Sequence, residues 1–221
     1  LSLVGSEMCI RDRIYPIKIR SGIGYGEIKY DVEEWESSAF DGEAYYLARD
    51  AITAIKGKKS NTICFNTKSR YDKYLNEFCM ADMSVKSRQS QVAHLIELIA
   101  DIMLPMVYKE EDAQFYYFIA KKKSRWIEQE RWNKSSSRYR DVKVLDVDYD
   151  SLFWIREEYV KKEEPKLMFC MDEFWARGMS TKIAQVMHTT RQNIDRYVSL
   201  GRIKESRTMD KAIFELLGED I

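Results

Sequence analysis

The sequence has little of what staples or breaks a chain. Of its 221 residues only four are cysteine (Cys9, Cys64, Cys79 and Cys170), and their wide, irregular spacing contains no Cys-x-x-Cys pair. That excludes the common zinc-ligand spacings and the density of a disulfide scaffold, and it fits a reducing compartment, the cytoplasm. Two histidines, His94 and His188, are too few for His-Glu-x-x-His zinc chemistry, and neither stands near a nucleophile motif of the Ser-His-Asp kind. No metal or other cofactor is expected, and no catalytic residue is assigned. Nine glycines and three prolines enforce few turns and exclude collagen-like and Pro-rich disordered classes. Charge of neither sign dominates, since 36 Lys and Arg balance 36 Asp and Glu, so any charged partner must be sought region by region. The longest apolar run, 95–107, is interrupted by Glu97, Asp101 and Pro105 and falls short of the roughly 20 residues of a spanning helix, so no membrane association is expected.

What is present is a composition of 45% hydrophobic and 33% charged residues, enough for a core of ordinary size and more in keeping with two small domains than one. The first thirteen residues, LSLVGSEMCIRDR, lack an initiator Met and resemble translated sequencing-adapter read-through. They are set aside as an expected artefact, with the reading frame expected to be truncated upstream of Ile14. From Ile14 to Lys68 the pattern reads strand, helix, strand. Ile17, Ile19, Ile23 and Tyr25 alternate as in a half-buried strand, and a polar, acidic loop follows over 29–40. Ala44, Leu47, Ala48, Ala51 and Ile55 then fall at helical spacing, with Asp41 placed to cap the helix and Gly57 to stop it. A short strand is read over 61–68. Such a βαβ unit is too small to bury its own sheet face.

Residues 69–107 read as helices, the second with one apolar stripe (Val92, Leu95, Ile96, Ile99, Ile102, Met103, Met106) ended at Pro105, best suited to core or dimer packing. Over 108–165 the signal is weaker: an aromatic cluster at 115–118 in a helix or strand, a basic stretch, and a further helix. Lys121, Lys122, Lys123, Arg125, Arg131, Lys134, Arg138 and Arg140 interleave with Trp126, Trp132 and Tyr139 there. Phosphate pairing with base stacking can use such a pattern, and so can a solvated helix face.

The clearest motif is STKIAQVMHTTRQNIDRYV at 180–198, which resembles a helix-turn-helix of the repressor and sigma-factor kind. Ile183, Ala184 and Met187 supply the inward face of a first helix, with small Ala184 where a second helix crosses closely. His188 and Thr189 make the turn, His188 standing where glycine is usual and Thr189 where an aliphatic residue is. Thr190 can cap the second helix, whose Ile194 and Val198 face inward. Arg191, Gln192, Asn193, Asp195 and Arg196 remain outward, where a recognition helix meets base edges in the major groove. Leu167, Met168, Phe169, Met171, Phe174 and Trp175 suggest a supporting helix that ends at Arg177 and Gly178. SLGRIKESR reads as a short wing or turn before a last helix over 209–217. Between 179 and 207, six cations (Lys182, Arg191, Arg196, Arg202, Lys204, Arg207) oppose two anions, Asp195 and Glu205. That segregation suits DNA. The expected division of labour gives backbone positioning to Lys182 and Thr190, base contact to Arg191, Gln192, Asn193 and Arg196, and phosphate contact to Arg202 and Lys204.

The segment IRSGIGYGEI (19–28), followed by SSAFDGEAYYLARDAI (37–52), resembles the SatD family of bacterial proteins. In that family a strand of the form R-x-G-I-G-x-G-E-I precedes a D-G-x-A-[YF]-x-x-A-R-x-A helix. The matching residues here are Arg20, Gly22, Ile23, Gly24, Gly26, Glu27 and Ile28, then Asp41, Gly42, Ala44, Tyr45, Ala48, Arg49 and Ala51. The resemblance implies a fold related to nucleotide-cyclase and diguanylate-cyclase domains, and a terminal helix-turn-helix. Two upstream acidic strands of that family do not occur here, so this chain is not expected to catalyse cyclisation, and a nucleotide ligand is assigned to the full-length protein. The G-x-G-x-G spacing at Gly22, Gly24 and Gly26 is read as close strand packing rather than a phosphate loop. Gly24, Glu27, Asp41 and Arg49 are candidates to border a ligand pocket, beside solvated or capping roles.

These readings give an α+β chain: a partial cyclase-like βαβ remnant over 14–107, a helical or irregular basic insertion over 108–165, and a helix-turn-helix domain over 166–221. The expected function is that of a DNA-binding regulatory protein of SatD type, paired as a homodimer where two half-sites are read. Two alternatives stand beside it: a cyclase-superfamily enzyme whose catalytic strands are missing, and an interaction adaptor working through an amphipathic helix at 84–104.

Overall fold

A computed structural model of the chain describes residues 20–30, 40–58, 62–105, 112–134, 147–152 and 175–220. The expected artefact at 1–13, the strand residues before 20, the helix residues beyond 152 and the supporting helix before Trp175 lie outside them. The protein is mainly helical with a small parallel sheet, an α+β architecture. Its described residues divide into two compact units, one formed by those up to Ser87 together with 209–220, the other by those within 88–208. The sequence segments 14–107, 108–165 and 166–221 are distributed between them.

In the first unit, β1 (Ser21–Gly24) and β4 (Ile63–Asn66) pair in parallel, Ile23 opposite Phe65. Between them in the chain come a short antiparallel ribbon, β2 (Lys29–Tyr30) with β3 (Phe40–Asp41), and helix α1 (Glu43–Ile55). This is the βαβ unit that the alternation predicts. Helix α1 lies so close to β1 that a Cβ on Gly22 would overlap the carbonyl oxygen of Ala48, and one on Gly24 that of Ala44. Helix α1 takes Gly42 as its N-cap residue, one position after the expected Asp41. Past its end Gly57 takes a positive φ of 89°, the stop that was expected.

The other face of the sheet is covered by two helices. Ile23, Ile63 and Phe65 pack with Leu75 and Cys79 of α2 (Asp72–Lys86) and with Ile213 and Leu217 of the last helix, α7 (Ile203–Asp220). A parallel sheet needs both faces buried, and here the C-terminal helix completes the burial. Asn76 of α2 accepts from the Phe65 N–H at 2.7 Å and donates to its C=O at 2.9 Å, occupying the β4 edge as a neighbouring strand would. The ammonium of Lys86, 3% exposed, sits 2.8 Å from Asp82 Oδ2 and 2.9 Å from Asp210 Oδ2. Two carboxylates around one cation compensate much of its desolvation.

The second unit is built around α3 (Gln91–Met103), which Ser90 caps by accepting from the Ala93 N–H at 3.2 Å. Its burial exceeds the single stripe that its periodicity predicts: every residue from Val92 to Ala100 is buried. The reason is that α4 (Asp112–Lys134), α5 (Met179–Val186) and α6 (Arg191–Leu200) all pack against it. The helix stops at Met103, two residues before Pro105. Helix α4 resolves the expected helix or strand at 115–118 as helix and carries the basic stretch on through 134. Lys121, Lys122 and Arg125 are exposed, whereas Lys123 and Ser124 are buried with Ala120 and Ile127.

Candidate nucleic-acid interface

Helix α5 follows Gly178, whose φ of 84° suits glycine, and buries Met179, Ile183, Ala184 and Val186. It closes by two reversed hydrogen bonds: His188 N–H to Gln185 C=O at 3.2 Å, and Thr189 N–H to Ala184 C=O at 2.9 Å. This is the Schellman arrangement, which requires a left-handed residue just beyond the helix cap. His188 takes that conformation with φ 45°, in the position where glycine is usual. The last α5 carbonyl, of Val186, accepts from the Asp148 N–H at 2.7 Å.

Thr190 caps α6, its Oγ1 accepting from the Asn193 N–H at 3.3 Å. Ile194 and Val198 are buried against the first helix and α3, as their spacing of four predicts. Arg191, Gln192, Asn193, Asp195 and Arg196 are all exposed. Three of them are engaged: Arg191 Nε lies 3.3 Å from Asp195 Oδ2, and the Asn193 amide nitrogen donates to Thr189 Oγ1 at 3.1 Å. Asn193 thus braces the turn that precedes it.

Helix α6 ends at Gly201 without positive φ; glycine stands there because a Cβ would meet Ala93 Cβ at 2.9 Å. Arg202, one residue later, takes the left-handed conformation with φ 50°. Helix α7 then starts at Ile203, so of the expected wing or turn SLGRIKESR forms a turn, at Gly201 and Arg202, and the last helix begins six residues before the expected Met209. The local physics explains this: Ile203 is fully buried, and a single left-handed residue turns the chain enough to start the new helix.

Of the predicted contacts, Arg202 and Lys204 are exposed, Lys204 with its ammonium 5.8 Å from the Trp175 ring centre, and Lys182 is half-buried. Arg207, counted among the cations of this stretch, turns inward at 1% exposure. It pairs with Asp101 and donates to the Leu104 carbonyl at 2.7 Å, tying α7 to the end of α3. Five cations therefore remain toward solvent or partly so. Sequence reasoning also missed Asp148, which holds Ser151 through its N–H at 3.0 Å and its hydroxyl at 2.6 Å. Those bonds, with a smaller contribution from the charge of His188, lower its pKa. The Asp-x-x-Ser spacing was the available signal. Beside it, burial pushes the Tyr149 phenol up to about 12, its hydroxyl donating to the Ala120 carbonyl at 2.8 Å.

A family model, the SatD family, matches residues 8–137. The chain belongs to the SatD family. No curated protein and no solved structure matches it. The SatD match takes in the β1–α1–β4 unit together with α2, α3 and α4, and ends before α5. Within the matched stretch, the structure separates the four candidates for a ligand pocket by role. Gly24 is packed under α1, Glu27 and Arg49 are exposed, and Asp41 pairs with Lys29 through the β2–β3 ladder. Glu27 contributes its carbonyl, which accepts from the Ala44 N–H at 3.3 Å in the first turn of α1. Among the described residues no three His, Cys, Asp or Glu side chains group as metal ligands. No described helix is long and apolar enough to cross a membrane.

Proposed function

We propose that this SatD-family chain is a cytoplasmic DNA-binding regulatory protein that presents α6 to the major groove, with its βαβ unit related to a nucleotide-cyclase-like fold. The observation that carries the reading is the division of α6. Ile194 and Val198 anchor it to a buried core while every polar residue of its first two turns is exposed, behind a turn fixed by His188 and Thr190. A helix read by base edges needs this combination of rigid seat and free polar face. Arg191, Gln192, Asn193 and Arg196 form the group that approaches bases; Thr190 and Lys182 position the backbone; Arg202 and Lys204 meet flanking phosphates. A symmetric pair of chains would read two half-sites one helical turn apart.

The test is fluorescence anisotropy of the full chain on labelled duplex over a series of potassium chloride concentrations. Binding that weakens linearly on a log–log plot supports the reading, and Lys204→Ala should weaken specific and random duplex alike while lowering the slope by about one. Absence of binding at low salt, or binding indifferent to salt, overturns it.

A further inference from the structure

We infer that, within the outward group of α6, sequence is read by Gln192 and Arg196 alone, and that the preferred half-site carries an adenine and a guanine about two base pairs apart. The inference rests on the DNA-binding reading above and concerns what that site prefers. Successive residues of an α-helix turn by about 100°. With Ile194 and Val198 directed into the core, Gln192 and Arg196 fall on the opposite side of the helix, four residues apart and both exposed. Asn193 flanks that side, and Arg191, exposed in the first turn, flanks the inward side next to Val198.

Both flanking residues are already engaged. The guanidinium of Arg191 faces Asp195 at 3.3 Å. Its charge there offsets a carboxylate that would otherwise repel phosphate, and leaving that carboxylate for a base edge would expose it. The Asn193 amide is turned back onto Thr189 Oγ1 at 3.1 Å, and the same residue's N–H is the one that Thr190 caps. Moving that side chain to a base would loosen the turn that sets the helix.

Gln192 and Arg196 have side chains whose geometry fits bases bidentately: a carboxamide matches adenine N6 and N7, and a guanidinium matches guanine O6 and N7. Four residues of helix rise about 6 Å, close to two base-pair steps of about 3.4 Å each, when the helix lies along the groove. Two such contacts discriminate at two positions and leave neighbouring positions to shape and phosphate contact.

The experiment is selection of duplexes from a randomised pool by the full chain, repeated with Gln192→Ala, Arg196→Ala, Arg191→Ala and Asn193→Ala. Circular dichroism at matched concentration establishes that each variant keeps its helix content. The expected motif holds adenine and guanine two base pairs apart. Gln192→Ala should erase the adenine preference and keep the guanine, Arg196→Ala the reverse, each lowering discrimination at its own position about ten- to a hundredfold. Arg191→Ala and Asn193→Ala, which remove the ion pair and the brace of the turn, should weaken binding to selected and random duplex alike and leave the ratio between bases at both positions. A selected motif without that pair, preferences that survive Gln192→Ala and Arg196→Ala, or preferences erased by Arg191→Ala overturn the inference while sequence-selective DNA binding stands. A wild-type chain that enriches nothing and binds no duplex overturns both.

Discussion

A methyl group on Gly22 would run into the carbonyl of Ala48 and the side chain of Ile52, because β1 and α1 touch backbone to backbone. Gly22→Ala is therefore expected to destabilise the protein by about 1–3 kcal/mol, seen as a lower urea midpoint at unchanged slope. Glycines 22 and 24 were legible as packing residues because a G-x-G-x-G strand followed by a loop offers no helix N-terminus to a phosphate. Gly201 was not legible in that way. Its reason is Ala93, more than a hundred residues earlier, and no local pattern announces such a neighbour. Arg207 illustrates the same limit from the charged side: its partner Asp101 is 106 residues away, so summing charge over a segment counted an inward cation as an outward one. Residue chemistry predicts what a side chain can bond to, while burial decides whether solvent or another helix receives it.

Helix α3 was recognisable by its apolar period, yet the period under-reported its surroundings. Ala93, Leu98 and Ala100 complete a cylinder that helices enclose on several sides, whereas a stripe describes a helix with one wet face. The α5–α6 connection was read more closely, since caps and turns are local: Thr190, the turn at His188 and the inward pair Ile194 and Val198 all sit as their spacing requires. Of the wing or turn expected next, the turn is what forms, because one left-handed residue, Arg202, does the work of a longer connection. A non-glycine residue in that conformation carries a strain of about 1–2 kcal/mol. His188→Gly should thus stabilise the fold by up to about 1 kcal/mol after the added freedom of the unfolded glycine is subtracted, measured as a rise in thermal midpoint. Asp148, held by Ser151, contributes in the opposite condition. Its folded pKa is lowered, so its stabilising effect is complete above the ordinary value of 3.8 and is lost as pH falls through the lower folded value. The Ser151 amide resonance should shift with a midpoint below 3.8, and Asp148→Asn should remove that step.

At the scale of the whole molecule, the βαβ order and its need for further cover could be argued from the sequence, but the identity of the cover could not. It comes from α2 next in the chain and from the final helix, whose Ile213 and Leu217 close a core begun at Ile23. Helix α7 accordingly contributes its first turns, with Ile203 and Arg207, to one compact unit and its later turns to the other. Ending the chain after Thr208 should strip the β1–β4 unit of two buried aliphatic side chains worth about 1.5–3 kcal/mol each, and of the Asp210 partner of Lys86. Calorimetry should then show that unit unfolding at a much lower temperature while the 88–208 core keeps its transition. Asn76 bears on a different property. By filling both backbone groups of Phe65 it denies the outer side of β4 to strands of other molecules, the route by which exposed edges template fibrils. One carboxamide thus guards this edge against polymerisation at Phe65.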